Sequence, residues 1–238
     1  MKSFPHSAGI IGFGLTSAFA VTEKWSLQEF CWSTWLAGLV YSWACVITAA
    51  IQILLTARRE RGTYEISIPF LQRVSPNVYF FGITLATLLI GWIALYGYSY
   101  LFAFYGLFLS VFAEMEPHSL FGRNGFINSD FTTPVTYLLE KFWPMIVGTL
   151  IANAGDFVKN RAWMGILLPF RSNEILRIHI LTLGLPFVTL IAWALFKTAY
   201  QPITLVLLIG LFYLLPKKRK KNKTSISQNA NQASGVKP

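Results

Sequence analysis

A run of thirty-six residues, 78–113, contains no charged side chain. As a helix at 1.5 Å per residue it is far longer than the ~20 residues that cross a bilayer core. A soluble fold has nowhere to put such a stretch. Lipid does, because it solvates an apolar exterior while the helix satisfies its own backbone polar groups. Composition agrees. Charged residues make up 13% and hydrophobic residues 54% of the 238-residue chain, against a quarter charged in ordinary soluble domains.

Six apolar segments are readable: 8–21, 30–57, 78–113, 134–155, 175–196 and 203–215. The third is read as a span to about Tyr98 followed by a helical continuation along the outer interface. The basic residues orient the segments. With the C-terminus in the cytoplasm, sixteen Lys and Arg fall on the cytoplasmic side: Lys2, four in 58–73, four in 159–177 and seven in the tail. Only Lys24, Arg123, Lys141 and Lys197 fall on the other. The fold class expected is therefore all-α: a polytopic transmembrane helix bundle of about six spans, both termini cytoplasmic. Residues 1–216 form the bundle and 217–238 a basic, disordered tail. The location expected is a cell membrane, multi-pass, of the prokaryotic inner or plasma type.

The first segment has a second reading. A basic start, an apolar middle and Ala18-Phe19-Ala20 match a cleavable signal peptide. Against cleavage stand Ala8/Gly12 and Gly14/Ala18, which repeat the small-xxx-small spacing of packed membrane helices.

A net charge of +10 invites a nucleic-acid reading until it is located. Seven of the twenty basic residues lie after Leu215, leaving about +3 on the rest. The run at Lys217, Lys218, Arg219, Lys220 and Lys221 ends an apolar segment. It is expected to touch anionic headgroups, at ~1 kcal/mol per residue, and not nucleic acid. The partners expected are the lipid bilayer and other membrane proteins.

Candidate chemistry is sparse. Only His179 of the three histidines lies in an apolar segment, so the chain cannot supply a pair of axial haem ligands from its spans. Cys31 and Cys45 stand fourteen residues apart on one segment, about 21 Å along a helix, too far to pair. Metalloprotease, esterase and phosphate-loop motifs are missing from the sequence. No catalytic residue, metal site or cofactor is expected.

Polar residues inside spans are costly and therefore informative. Asn153 and Asp156 stand three apart at the cytoplasmic end of the fourth segment, and Arg177 and His179 enter the fifth from the same side. They form a candidate intramembrane polar cluster, with Asp156–Arg177 or Asp156–His179 contacts expected. On the other side Glu140–Lys197 pairing is one reading, and the one preferred is that Lys141 and Lys197 snorkel to the interface. Pro144 and Pro186 are expected to kink the fourth and fifth segments. Trp32, Trp35 and Trp43, with Gly38 and Ser42 beside them, form a candidate packing or partner face on the second segment. Trp25 and Trp32 suit an interfacial belt. Residues 159–171, with Trp163, Ile166, Leu167 and Phe170 between basic flanks, suit the headgroup boundary.

The stretches "WSLQEFCWSTWLAGLVYSW", "GILLPFRSNEILRIHILTLGLPF" and "WALFKTAYQPITLVLL" loosely resemble a family of prokaryotic six-span integral membrane proteins of unknown function. The residues that carry the likeness are Trp25, Trp35, Pro169, Phe170, Arg177, His179, Lys197 and Thr198. The chain departs from the pattern where the family has a histidine before the loop that follows the fourth span, here the Asn153 region, and in its Arg-to-His spacing. The resemblance implies six spans and no particular activity. The function expected is that of an accessory or assembly subunit of a membrane complex. The alternative is a small permease or channel-like transporter built on the polar cluster.

Overall fold

The computed structural model describes residues 4–60, 75–112, 120, 129–158, 163–171, 187, 191, 194–195 and 200–214. Arg177, His179, Pro186, Lys197 and the tail from Leu215 onward lie outside the described residues. The elements are helices: α1 (Phe4–Thr22), α2 (Leu27–Glu60), α3 (Pro76–Phe112), α4 (Thr132–Ala152), α5 (Ala154–Val158), α6 (Trp163–Ile166), α7 (Leu168–Arg171) and α8 (Tyr200–Leu214). Three of them, α2, α3 and α4, are long and apolar enough to cross a membrane. The described ends of α1 and α8 are shorter apolar helices.

Local chemistry sets the helix ends. The turn between α1 and α2 is a Schellman motif: Trp25 N–H donates to Ala20 O (2.9 Å) and Lys24 N–H to Val21 O (3.3 Å). It requires a left-handed residue, and Lys24 supplies it at φ 51°, a conformation that costs a side-chain-bearing residue ~1 kcal/mol. Two residues on, Ser26 and Glu29 form a reciprocal capping box, Ser26 N–H to Glu29 Oε2 at 2.8 Å and Glu29 N–H to Ser26 Oγ at 3.2 Å. At α4, Asp130 accepts from Thr132 Oγ1, Thr133 Oγ1 and Thr133 N–H at 2.9–3.3 Å. The Thr132 and Thr133 bonds hold its carboxyl below the usual carboxylate range. That contribution is present above the ordinary carboxylate pKa and fades as pH falls through the lowered one.

Hydroxyls within the helices bond to carbonyls of their own preceding turn, as at Ser33, Thr34, Ser42 and Thr48. This leaves little polar surface for the apolar surroundings to solvate.

α3 departs from expectation. It is one unbroken helix of 37 residues, about 55 Å long, because no proline or polar cluster interrupts it after Asn77. Its second half packs on α2 instead of continuing along an interface. Trp35 Nε1 donates to Phe102 O (2.6 Å) and Trp43 Nε1 to Ser99 Oγ (3.1 Å). Tyr98 packs with Val46 and Ala49, and Leu109 joins the cluster around Trp25 and Phe30.

Contacts give the helix directions. Gly9 of α1 meets the Tyr213 carbonyl of α8, and Phe13 meets Gly210, so α1 and α8 are antiparallel. The Phe19–Trp143 and Trp25–Phe142 ring pairs, with Gly12 against Gly148, make α1 and α4 antiparallel. Tyr137 bonds Glu29 at one end and Asp156 bonds Tyr41 further along, so α2 and α4 run parallel. Thus α1 and α3 point one way and α2, α4 and α8 the other. The start of α1 and the ends of α2, α4 and α8 share one end of the bundle.

α1 crosses α4 in close contact at Gly12 and Gly148. A Cβ on Gly12 would stand 2.8 Å from the Gly148 carbonyl oxygen. Beside this crossing the Tyr213 hydroxyl is buried against Thr16 Oγ1 (3.0 Å), Thr149 Oγ1 (3.3 Å) and Met145 O (3.3 Å). Ala8 and Gly12 therefore lie on the buried side of α1, while Gly14 and Ala18 are exposed.

Candidate functional site

Two polar clusters occupy opposite ends of the bundle. The first contains Asn153 and Asp156. They do not share one helix face, because α4 stops between them. Asn153 caps α4 with φ −108° and ψ 9°. Its side-chain amide turns back to donate to Thr149 O (2.8 Å), satisfying a helix-end carbonyl internally. Asp156 begins again on the short α5, with its N–H donating to Asn153 O (2.8 Å).

α2 supplies the cluster's other wall. Tyr41 Oη donates to Asp156 Oδ2 (3.1 Å), and Gln52 Nε2 donates to Phe157 O (2.8 Å). Tyr41 and Phe157 rings also meet at 5.8 Å. Between these groups lies a cavity of ≈ 10 Å³ lined by Cys45, Thr48, Gln52, Asp156 and Gly165 among others, room for about one water. Residues of α2 missed by sequence reasoning thus complete the site. Their spacing held the signal: Tyr41, Cys45, Thr48 and Gln52 follow i, i+4, i+7, i+11, a polar stripe on an otherwise apolar helix. Arg177 and His179 lie outside the described residues.

Replacing Tyr41 with phenylalanine removes one hydrogen bond from α5 and is expected to cost ~1 kcal/mol. In a double-mutant cycle with Asp156→Asn, denaturant unfolding in detergent should give a coupling of similar size. Additive costs would mean that the two groups do not act on each other.

The second cluster was not anticipated. Lys141, expected to snorkel, instead forms an ion pair with Glu29 Oε1. The same oxygen accepts from Tyr137 Oη (3.0 Å), and Lys141 Nζ also donates to Tyr137 Oη (3.1 Å). The side chains of Lys141 and Glu29 are only 28% and 17% exposed. In such surroundings a neighbouring carboxylate within reach outcompetes a stretched path to water. Glu140 is exposed, and Lys197 lies outside the described residues.

The tryptophan stripe on α2 turns inward. Trp32 (1% exposed), Trp35, Gly38 and Ser42 are buried within the chain, while Trp43 is 39% exposed. Trp32 and Trp35 meet edge to face at 5.5 Å, and Trp25 packs in the same manner on Phe142 at 4.9 Å. Trp25 and Trp32 consequently do not form an interfacial belt: side chains of α3 and α4 cover that face. Pro144 is buried, and α4 continues as a helix through it.

Among the described residues no group of three or more His, Cys, Asp or Glu is placed to hold a metal ion, and Cys31 and Cys45 are buried and not joined in a disulfide. Comparison with protein-family models, characterised proteins and solved structures gives no match for this chain.

Proposed function

We propose that this chain is a six-span protein of a prokaryotic cell membrane, with both termini cytoplasmic, and that it serves a larger membrane complex as a non-enzymatic accessory or assembly subunit. The observation that carries this reading is α3. Only 11% of its most apolar stretch is buried. Phe81, Leu85, Leu88 and Trp92 project outward at helical spacing, and Trp92 and Phe81 are 68% and 67% exposed. A monomeric bundle gains little by extending so long a helix alone. A subunit that offers it to neighbouring helices gains close packing, the main source of helix association in lipid. The internal use of the Trp32/Trp35 face leaves α3 as the surface for such a neighbour.

The transporter reading draws support from one feature, the Asp156–Tyr41–Gln52 cluster beside its small cavity, since ionisable groups in spans commonly mark solute paths. The two readings separate on purification in mild detergent followed by mass spectrometry. A subunit co-elutes with another membrane protein in fixed stoichiometry. A monodisperse lone chain that moves solute in vesicles supports the transporter instead.

A further inference from the structure

The cavity between α2, α5, α6 and α7 has an oxygen-rich lining. Thr48, Gln52 and Asp156 bring oxygens to it, and Ala49, Gly165 and Leu168 supply apolar wall. Hydrogen bonds elsewhere decide what these side chains have left to offer. Thr48 Oγ1 donates to the carbonyls of Ala44 (2.6 Å) and Cys45 (3.2 Å), so its lone pairs remain. The Gln52 amide nitrogen is held on Phe157 O (2.8 Å), which leaves the amide oxygen. Asp156, ionised, only accepts, and one of its oxygens takes the Tyr41 hydroxyl at 3.1 Å. A hydroxyl, an amide carbonyl and a carboxylate thus meet one small space as acceptors.

Size and charge narrow the occupant. The cavity of ≈ 10 Å³ admits about one water-sized body. It has no room for an organic solute or for an ion that keeps its hydration shell. A Cβ on Gly165 would stand 2.8 Å from the Ala49 Cβ, so these two residues set the closeness of α6 to α2. Mg²⁺ keeps several waters, and Ca²⁺ seeks more oxygens than three side chains bring. A lone water needs donors as well as acceptors, and the Cys45 thiol is a weak one. Asp156 adds formal negative charge. α4 ends at Asn153, three residues before it, and a helix C-terminus carries partial negative charge. A broken helix whose end meets oxygen ligands is a recurring build of monovalent-cation sites in membranes. Asp156 is half-buried, which gives an ion a way in.

We infer that this cavity binds one dehydrated alkali cation, held by Thr48, Gln52 and Asp156 and bridging α2 to α5. These are hard oxygen ligands, unlike the histidine and thiolate sets that select transition metals. The site goes beyond the subunit role and holds whether or not the chain also moves solute.

The test uses the full chain in mild detergent. Thermal unfolding is followed in sodium chloride, potassium chloride and choline chloride at equal ionic strength; choline is too large for the cavity. An ion that binds only the folded chain raises the midpoint progressively as its concentration passes Kd. Sodium or potassium should do this, and choline should not. Thr48→Val keeps the side-chain shape and removes the oxygen. It should raise the alkali concentration needed by about tenfold or more, as loss of one contact to a charged group implies, and Thr48→Ser should restore it. Gln52→Leu removes a second ligand independently and should weaken binding likewise if Thr48→Val does not fold. Equal midpoints in all three salts overturn the inference. So does an alkali effect that Thr48→Val and Gln52→Leu both leave unchanged, which places the ion elsewhere.

Discussion

Gly12→Leu is expected to unfold the bundle more readily by about 3 kcal/mol, near the top of the usual range for overpacking a close-packed core. At Gly12 even the first added carbon meets the Gly148 carbonyl oxygen at 2.8 Å and the Tyr213 ring at 2.9 Å. The ring can tilt, but the carbonyl belongs to the backbone of α4. The helices must separate, and separation also pulls the Tyr213 hydroxyl from Thr16 and Thr149. Gly148→Leu meets the same obstacle from the other side, with Tyr213 Oη at 2.7 Å and Thr16 Oγ1 at 2.9 Å. Gly14 is the control. Nothing lies within 4 Å of a Cβ there, so Gly14→Leu should fall within about 0.5 kcal/mol of the parent, as open surface changes do. Unfolding in mixed detergent micelles reads all three. Equal costs at Gly12 and Gly14 would show that α1 does not cross α4 at Gly12.

Glu29→Ala carries the second large effect, also about 3 kcal/mol. It removes a capping side chain, worth ~1 kcal/mol. It also strands Lys141, where losing one partner of a buried pair costs several kcal/mol, reduced here because both groups keep some solvent. The two parts can be separated. Glutamine at the third helical position still completes a capping box, so Glu29→Gln should lose only the charge part, roughly 2 kcal/mol. Adding Lys141→Met to Glu29→Gln leaves no cation to satisfy and should restore most of that loss. If Glu29→Ala and Glu29→Gln match the parent protein, the ion pair is fully screened and contributes nothing.

Five of the six apolar segments coincide with described helices, because length and hydropathy alone reveal them; the fifth, 175–196, lies largely outside the described residues. The second was read as 30–57 and the helix is Leu27–Glu60. The extra turn comes from Ser26 and Glu29, a capping signal written plainly in "SLQE". The break at Asn153 was harder. A spacing of three sets Asn153 and Asp156 on one face of a continuous helix, yet an asparagine followed two residues on by Gly155 is also a helix stop. The snorkelling expected of Lys141 gives way to its ion pair with Glu29. That partner lies 112 residues away, and pairing depends on how α2 and α4 rotate about their axes. Helix rotation also decided the tryptophans: hydropathy finds Trp25 and Trp32 near a segment end but does not say whether that end faces lipid or a neighbouring helix. The Gly12 contact was half legible, since small-xxx-small spacing occurs twice in α1 and only packing against α4 and α8 selects the pair that matters.

The most direct test of the whole account is the sidedness of the helix ends. Reporters fused after Lys24, Glu60, Asp130, Val158 and Leu215 should divide into two groups. Glu60, Val158 and Leu215 should report the cytoplasm, and Lys24 and Asp130 the opposite face. Lys24 and Glu60 reporting the same side, or a chain that stays dissolved without detergent, would contradict it.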